Sequence, residues 1–532
     1  MRFPALLLLV LPAVSAQTPN ADDLVWQNAI HKFDAKRAAL LRQVDEEGQN
    51  GPFRPNWESL KQYKVPAWYQ DAKFGIFLHW GVYSVPAFGN EWYPRNMYNQ
   101  GTKEFAHHVA TYGPQLKFGY KDFIPMFKAE HYDAKAWADL FRNAGAKFVI
   151  PVAEHHDGFA MYDSDLTDWC AAKMGPHRDT TGELAQAVRA AGLHFGVSSH
   201  RAEHYFFLNT GREIDSDVRD PQFAAFYGPA HAGVTDKNHM NWKGAHPDTA
   251  YLDDWMARVV EMVNKYQPEI VWFDWWIETK EFEPYRQRLA AFYYNNAARR
   301  GATAAINYKN DAYPPEAAVL DIERGQSDQI QPRFWQTDTS VSVKSWGYIK
   351  DDTFRSPESM IQELVDIVSK NGALLLNVGP KPDGTIPEQA RNVLLAMGHW
   401  LSVNGEAIYG TRPWKISGEG PTKVVGGSFN DTATKPYTSR DIRFTTRDRL
   451  LYATVFAWPQ DGKIRIGSLA RGSKLMESEV AGVQLLGSGD KLKWTCDNDG
   501  LEIDLPAVRT GEFAWVLKII PAGRNQHPGR AD

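Results

Sequence analysis

The sequence predicts an α/β fold: a (β/α)8-type barrel followed by a C-terminal antiparallel β-sandwich. Three observations predict it. Short continuous apolar runs alternate with segments of helical period, the pattern of βαβ units that build a parallel sheet buried on both faces. About eight such units fall within roughly 330 residues, the span of a barrel with long loop insertions. Polar residues recur at the C-terminal ends of many runs. In a barrel those ends converge on one mouth, which favours the barrel over a doubly wound open sheet.

The chain has 532 residues, too many for one ordinary core, and two or more domains are expected. Residues 1–16 open with Met1-Arg2-Phe3-Pro4, continue through the apolar stretch from Leu6 to Val10 and end on small residues before Gln17, as a secretory signal peptide does. That stretch is too short to span a bilayer, and no later run reaches the length of a membrane helix. Residues 17–62 read as an N-terminal helical segment, with an exposed amphipathic helix over 22–47. Within 63–410, strands are expected at 74–79, 148–153, 195–199, 270–273, 302–307, 319–322, 335–341 and 374–378. Helices are expected from 133 to 145 and over 184–191, 255–266, 285–299, 356–370 and 389–403. Asp133 and Ser356 are good N-caps, and Pro357 and Glu358 suit a first helical turn. From about Thr411 the helical periods vanish. Short strands at 442–445, 450–456, 463–466, 501–505 and 513–519, separated by turn residues, suggest a small sandwich over 411–522. The last residues, 523–532, are polar and expected to be disordered.

Hydrophobic residues at 43% and charged residues at 23% are ordinary for a soluble globular chain. A net charge of −5 gives no reason to expect nucleic acid or an anionic membrane as partner. Cys170 and Cys496 are the only cysteines, so no disulfide framework is expected despite export, and two buried free thiols are the default. Asn430-Asp431-Thr432 is a glycosylation sequon. The aromatic share of 13%, with 19 Trp, suits the flat C–H faces of sugars, although large cores also consume such rings.

Three clusters can carry chemistry. In Val271-Trp272-Phe273-Asp274-Trp275-Trp276 a carboxylate ends an apolar strand among rings, a costly place for a charge that is neither paired nor functional. Asp274 is therefore the leading candidate for a catalytic nucleophile, with a helix cap as the alternative. Glu154-His155-His156-Asp157-Gly158-Phe159 also follows a buried strand. It could bind metal with His200 or His204, but adjacent His side chains on an extended segment point to opposite sides, and neutral imidazoles bonding to hydroxyls explain the same residues. Phe77-Leu78-His79-Trp80-Gly81, with Glu91-Trp92-Tyr93, suits a grip on a small polyol. Glycoside hydrolysis with retention needs a second carboxylate as acid/base. Glu323 in Leu320-Asp321-Ile322-Glu323-Arg324-Gly325 is preferred, with a surface ion pair to Arg324 as its bland reading and Glu316 as its competitor.

Together these motifs resemble the α-L-fucosidases of glycoside hydrolase family 29, over about Tyr63 to Trp414. Lys73 through Gly81, Glu91-Trp92-Tyr93, His155 through Phe159, Trp272-Phe273-Asp274, Ser345-Trp346-Gly347-Tyr348 and Asn371 through Pro380 carry the likeness. The resemblance implies an exo-acting retaining hydrolase, without metal or other cofactor, that removes terminal α-L-fucose from a fucosylated oligosaccharide or glycoconjugate. It implies Asp274 as nucleophile, His79, Glu91, Trp92, His155, His156 and Trp272 as residues holding the sugar, and Trp346 beside its C6 methyl. Where many members carry an Arg after the strand, this chain has Lys309, which is expected to replace it as a substrate-binding residue, although a point charge is not a planar fork. The segment around Glu323 departs from the family's common pattern. The stretch that begins at Ser199-His200-Arg201-Ala202-Glu203-His204 is a long insertion, expected either to shape leaving-group specificity or to be a solvated loop. Two other readings stand beside this one: a non-catalytic carbohydrate-binding barrel, and a metal-dependent hydrolase using His155, His156 and His200.

Overall fold

The computed structural model describes residues 21–231 and 246–522. The expected signal peptide and polar tail lie outside the described residues. Eight parallel strands close into a barrel: β1 (Phe74–Leu78), β2 (Phe148–Glu154), β3 (His194–Ser199), β4 (Ile270–Phe273), β5 (Ala305–Tyr308), β6 (Val319–Glu323), β7 (Trp335–Ser340) and β8 (Gly372–Val378). β8 pairs back onto β1, with Leu78 opposite Val378. All eight expected strands are present; β4 has the expected bounds and the others have shifted ends.

The apolar runs divide into two faces by the two-residue period of a strand. Phe77, Phe148, Ile150, Val152, Ile270, Trp272, Ala305, Val319, Ala373 and Leu375 form one buried cluster that fills the barrel. Ile76, Leu78, Val149, Val271, Leu374 and Leu376 belong to the larger core shared with the helices outside. Gly75 is required by this filling, since a Cβ there would stand 2.2 Å from the Phe148 ring. Trp272 and Phe77 touch at 4.9 Å between centroids and 60° between planes, and both also pack on His200.

Helices Ala134–Asn143, Thr180–Ala190, Thr249–Tyr266, Glu283–Arg299, Pro357–Ser369 and Glu388–Asn404 surround the sheet. Asp133 and Ser356 accept from the backbone N–H of Ala136 and Ser359, as their sequence positions require. No helix joins β5 to β6 or β6 to β7. The first link holds Pro314 and Pro315, is only 309–318, and is too short for the usual crossover helix. The repeat of eight full βα units is thus incomplete after its fifth and sixth strands.

The N-terminal segment is two helices, Ala21–Ile30 and Asp34–Asn50. It is not an exposed amphipathic helix. Trp26 is fully buried against Tyr251, and Arg37 pairs with Asp254 inside the molecule. Among described residues, no helix is long and apolar enough to cross a membrane.

Beyond the barrel, β13 (Val480–Leu485), β16 (Trp515–Pro521), β11 (Leu450–Val455), β10 (Ile442–Arg447) and β9 (Arg412–Glu419) form a five-stranded antiparallel sheet in that order. β12 (Lys463–Ile466), β15 (Leu501–Asp504) and β14 (Lys493–Cys496) form a second sheet. The two share an apolar core that includes Phe444, Ile464, Ile503 and Leu517. Tyr452, Phe456, Ala514 and Val516 instead join the core of the barrel unit, so the two units are packed together. Both cysteines are free; Cys170 is buried, but Cys496 is only half-buried on an edge strand.

Candidate active site

The C-terminal ends of the strands open into one cavity of about 340 Å³, lined by His79, Glu91, Trp92, His155, His156, His200, Trp272, Asp274, Trp275, Glu323, Asp338, Trp346 and Phe429 among others. That is the small end of the range for ligand pockets.

Asp274 leaves the end of β4 with Trp276 held at φ 74° two residues on, a strained backbone of the kind found at functional turns. Its Oδ2 accepts from His200 Nδ1 at 3.0 Å and lies 3.3 Å from His156 Nε2. Burial alone would raise this carboxyl, but the His200 and His156 imidazoles outweigh it and hold Asp274 well below the usual carboxylate range. His200 follows β3 and is braced by Ser198 Oγ at 3.0 Å from Nε2. His156 Nδ1 donates to His200 O at 2.9 Å and stands 3.0 Å from the buried carboxylate of Glu203. Burial opposes charge on His156, yet Glu203 and Asp274 raise it to about 9. An imidazolium thus stands between two carboxyl groups.

His155 and His156 both line the cavity, with ring centroids 4.4 Å apart. The alternation expected of an extended segment fails because β2 ends at Glu154 and the chain turns. His79 follows β1 and donates from Nδ1 to Asn377 Oδ1 at 2.8 Å, while Asn377 Nδ2 donates to Trp346 O at 2.7 Å. Burial holds His79 and His155 well below the ordinary imidazole range, so both are neutral. With Nδ1 of His79 donating, its Nε2 is the acceptor. Glu91 is fixed by the Trp346 backbone N–H at 2.9 Å and by Ser345 Oγ at 3.1 Å. Trp346 stacks on His79 at 5.2 Å.

In the same cavity as Asp274, Glu323 ends β6. It accepts from Trp275 Nε1 and lies 3.6 Å from Lys309 Nζ. Arg324 does not pair with it; Arg324 sits over the Trp346 ring at 4.5 Å and faces Asp431. Lys309 lies beneath the cavity, bonded to Asp321 at 2.9 Å and Asp338 at 2.5 Å. One ammonium cannot hold three buried carboxyls ionised. Burial would raise Asp321, but Lys309 outweighs it and keeps Asp321 low. Asp338 is driven well up by burial and by the Asp321 charge. Burial, then the Asp274 charge, raise Glu323 against the pull of Lys309. Glu316 is excluded from the site: it precedes β6, at the other end of that strand, and is spent on Arg333 at 2.5 Å.

The ring nitrogens of His79, His155 and His200 lie within 4.8 Å of one another, as do those of His156 and His200 with a carboxylate oxygen of Asp274. The histidines do converge as a metal reading requires. Both nitrogens of His200 and Nδ1 of His79 are nevertheless already engaged in hydrogen bonds.

Residues 40–406 match the family model for α-L-fucosidase, and residues 430–520 match that for its C-terminal domain. The chain belongs to the α-L-fucosidase family. It is 31% identical to the tissue α-L-fucosidase of Rattus norvegicus over 484 residues, covering 88% of this chain and 92% of that one. It is 31% identical to the plasma α-L-fucosidase of Homo sapiens, again covering 88% of this chain and 92% of that one. Among solved structures it resembles a Thermotoga maritima α-fucosidase in complex with fucose, with TM-score 0.68 and 32% identity over 88% of this chain and 100% of that one.

Seven residues that line the cavity of this fucosidase, Asn90, Asn96, His200, Trp275, Trp276, Asp338 and Phe429, are not among the catalytic or sugar-holding residues expected from sequence, and His200 was named there only as a metal ligand. His200 carried a readable signal, a polar residue just after an apolar strand, as His79 and Asp274 are. Asp338 lies in a strand whose six residues, Trp335–Ser340, are all buried although four are uncharged polar or small; a polar run with strand neighbours was its signal. Trp275 was visible only as part of a cluster. Phe429 had none, because it comes from the other domain. The insertion after β3 is not a solvated loop in its described part: Arg201, Glu203, His204, Tyr205 and Phe207 are buried, and Phe207 packs on both Trp92 and His156.

Proposed function

We propose that this fucosidase is a secreted, exo-acting, retaining enzyme that removes terminal α-L-fucose from fucosylated oligosaccharides or glycoconjugates by double displacement. One observation carries the reading: two carboxyls in one small cavity are displaced in opposite directions, Asp274 down and Glu323 up. Ionised Asp274 attacks the anomeric carbon, while protonated Glu323 gives its proton to the departing oxygen. Water then takes the fucosyl group from Asp274, with Glu323 as base.

Around that pair, His79, Glu91, Trp92, His155 and His156 hold the hydroxyls, and Trp272 lies under the ring. Trp346 supplies an apolar face for the C6 methyl. Neutral His79 and His155 beside bare indoles match a deoxy sugar, which is hydroxyl-rich on one side and apolar at the methyl. Lys309 acts from below by holding Asp321 and Asp338 and setting the field at Glu323. Secretion is supported by the basic start, the apolar run and the small residues of 1–16.

The test is the anomer released first from an aryl α-L-fucoside, followed by proton NMR. Retention gives α-L-fucose before mutarotation. Release of β-L-fucose would overturn the double displacement, and binding without turnover would return the non-catalytic reading. Loss of turnover in chelator, restored by a divalent cation, would favour the metal reading.

A further inference from the structure

The chain between β9 and β10 leaves the β-domain and returns to the barrel mouth, where it runs against the segment that follows Glu323. Gly427 N donates to Gln326 O at 2.8 Å, Phe429 N to Glu323 O at 2.9 Å and Asp431 N to Arg324 O at 2.8 Å. Asp431 is the fastening. It is buried, accepts from Thr339 Oγ1 at 2.7 Å and lies 3.5 Å from both Arg324 Nη1 and Arg355 Nη1. A loop tied this way is positioned by the scaffold.

At its crest stands Phe429, 54% exposed and at φ 60°. An exposed apolar ring on a left-handed non-glycine backbone is unfavourable twice over, and such positions cluster at ligand sites. The ring faces Trp275 at 6.1 Å and 28°, close to parallel. Trp275 Nε1 in turn bonds to Glu323. Both rings line the same cavity as Asp274. An acid that protonates the glycosidic oxygen must face the group bonded to that oxygen. When the bond from that oxygen to the anomeric carbon breaks, the group departs on the Glu323 side, over the aromatic step.

We propose that Phe429 and Trp275 form a leaving-group subsite that takes the C–H face of a pyranose ring bonded to the fucose. The β-domain thereby completes the active site by supplying one wall of it. This rests on Glu323 as the acid of a fucosidase. A flat ring accepts such a face with little demand on the positions of its hydroxyls, so the subsite selects for a sugar ring more than for one linkage.

The test compares kcat/KM on the fucosyl disaccharide that the wild type cleaves fastest with kcat/KM on α-L-fucosyl fluoride, which has no ring to stack. Phe429→Ala lowers the ratio of the two roughly three- to tenfold, the size of one aromatic contact. Phe429→Tyr keeps the ratio. Phe429→Leu, which restores apolar bulk without a flat face, behaves as Phe429→Ala. A ratio unchanged in Phe429→Ala, or restored by Leu as fully as by Tyr, overturns the subsite. A wild type that turns over neither substrate overturns the fucosidase reading instead, and the subsite falls with it.

Discussion

Asp274 and Glu323 carry the same functional group in the same cavity, and their neighbours give them opposite characters. Asp274 is ringed by imidazoles that favour its charge; Glu323 sits among carboxyls that share one lysine. The sign of the pH dependence follows. In the proposed double displacement Asp274 acts ionised, and its lowered pKa puts the acid limb below the usual carboxylate range. Glu323 acts protonated in the same proposal, and its raised pKa puts the alkaline limb above that of an ordinary glutamate. The expected profile of kcat/KM is a bell with both limbs spread outward. In Glu323→Gln, measured on a fluoride that needs no proton, the alkaline limb should flatten. A limb that survives would belong to His156, whose imidazolium is held up to about 9. Asp274 was legible in the sequence because a charge ending an apolar run has few reasons to be there. Glu323 could not be separated from Glu316 until β6 was placed, since only the strand's direction shows that one ends it at the mouth and the other precedes it.

At the scale of elements, legibility followed burial. The barrel strands are covered on both faces, and their continuous apolar runs stand out. The three strands not anticipated, β9, β13 and β14, are all sheet edges. An edge strand is half-exposed, and its apolar alternation is correspondingly weak; every residue of β9 is exposed or only half-buried. No helical period is legible in the sequence between β5 and β6 or between β6 and β7, and the structure has no helix in either link. Elements of the two units are also joined by charge. Asp366, fully buried on the helix Pro357–Ser369, pairs with Lys370 Nζ at 2.6 Å and with Arg443 Nε of β10 at 2.5 Å. Arg443→Met leaves that carboxylate with one partner instead of two. Breaking a buried pair from one side costs about 3 kcal/mol, and a thermal melt should show Tm lower by several degrees. An unchanged Tm would mean that Lys370 alone satisfies Asp366.

For the whole molecule, barrel closure is what turns scattered motifs into a site. His79, His156, His200, Asp274, Glu323 and Trp346 are far apart in the chain and meet only because parallel strands end on one side. Motifs at those strand ends could be read one by one, and their joint order pointed to the family. The part played by the β-domain could not, because the meeting of Phe429 with Trp275 depends on how two domains pack and leaves no local pattern. The carboxylate at the centre of that convergence decides whether the proposed double displacement holds. Asp274→Gly, assayed on an aryl α-L-fucoside, should lose turnover by roughly a thousandfold or more. Added azide should restore part of it by entering the vacated space, yielding β-L-fucosyl azide. Turnover within tenfold of wild type, or an azide product of α configuration, would contradict the assignment of Asp274 as the nucleophile.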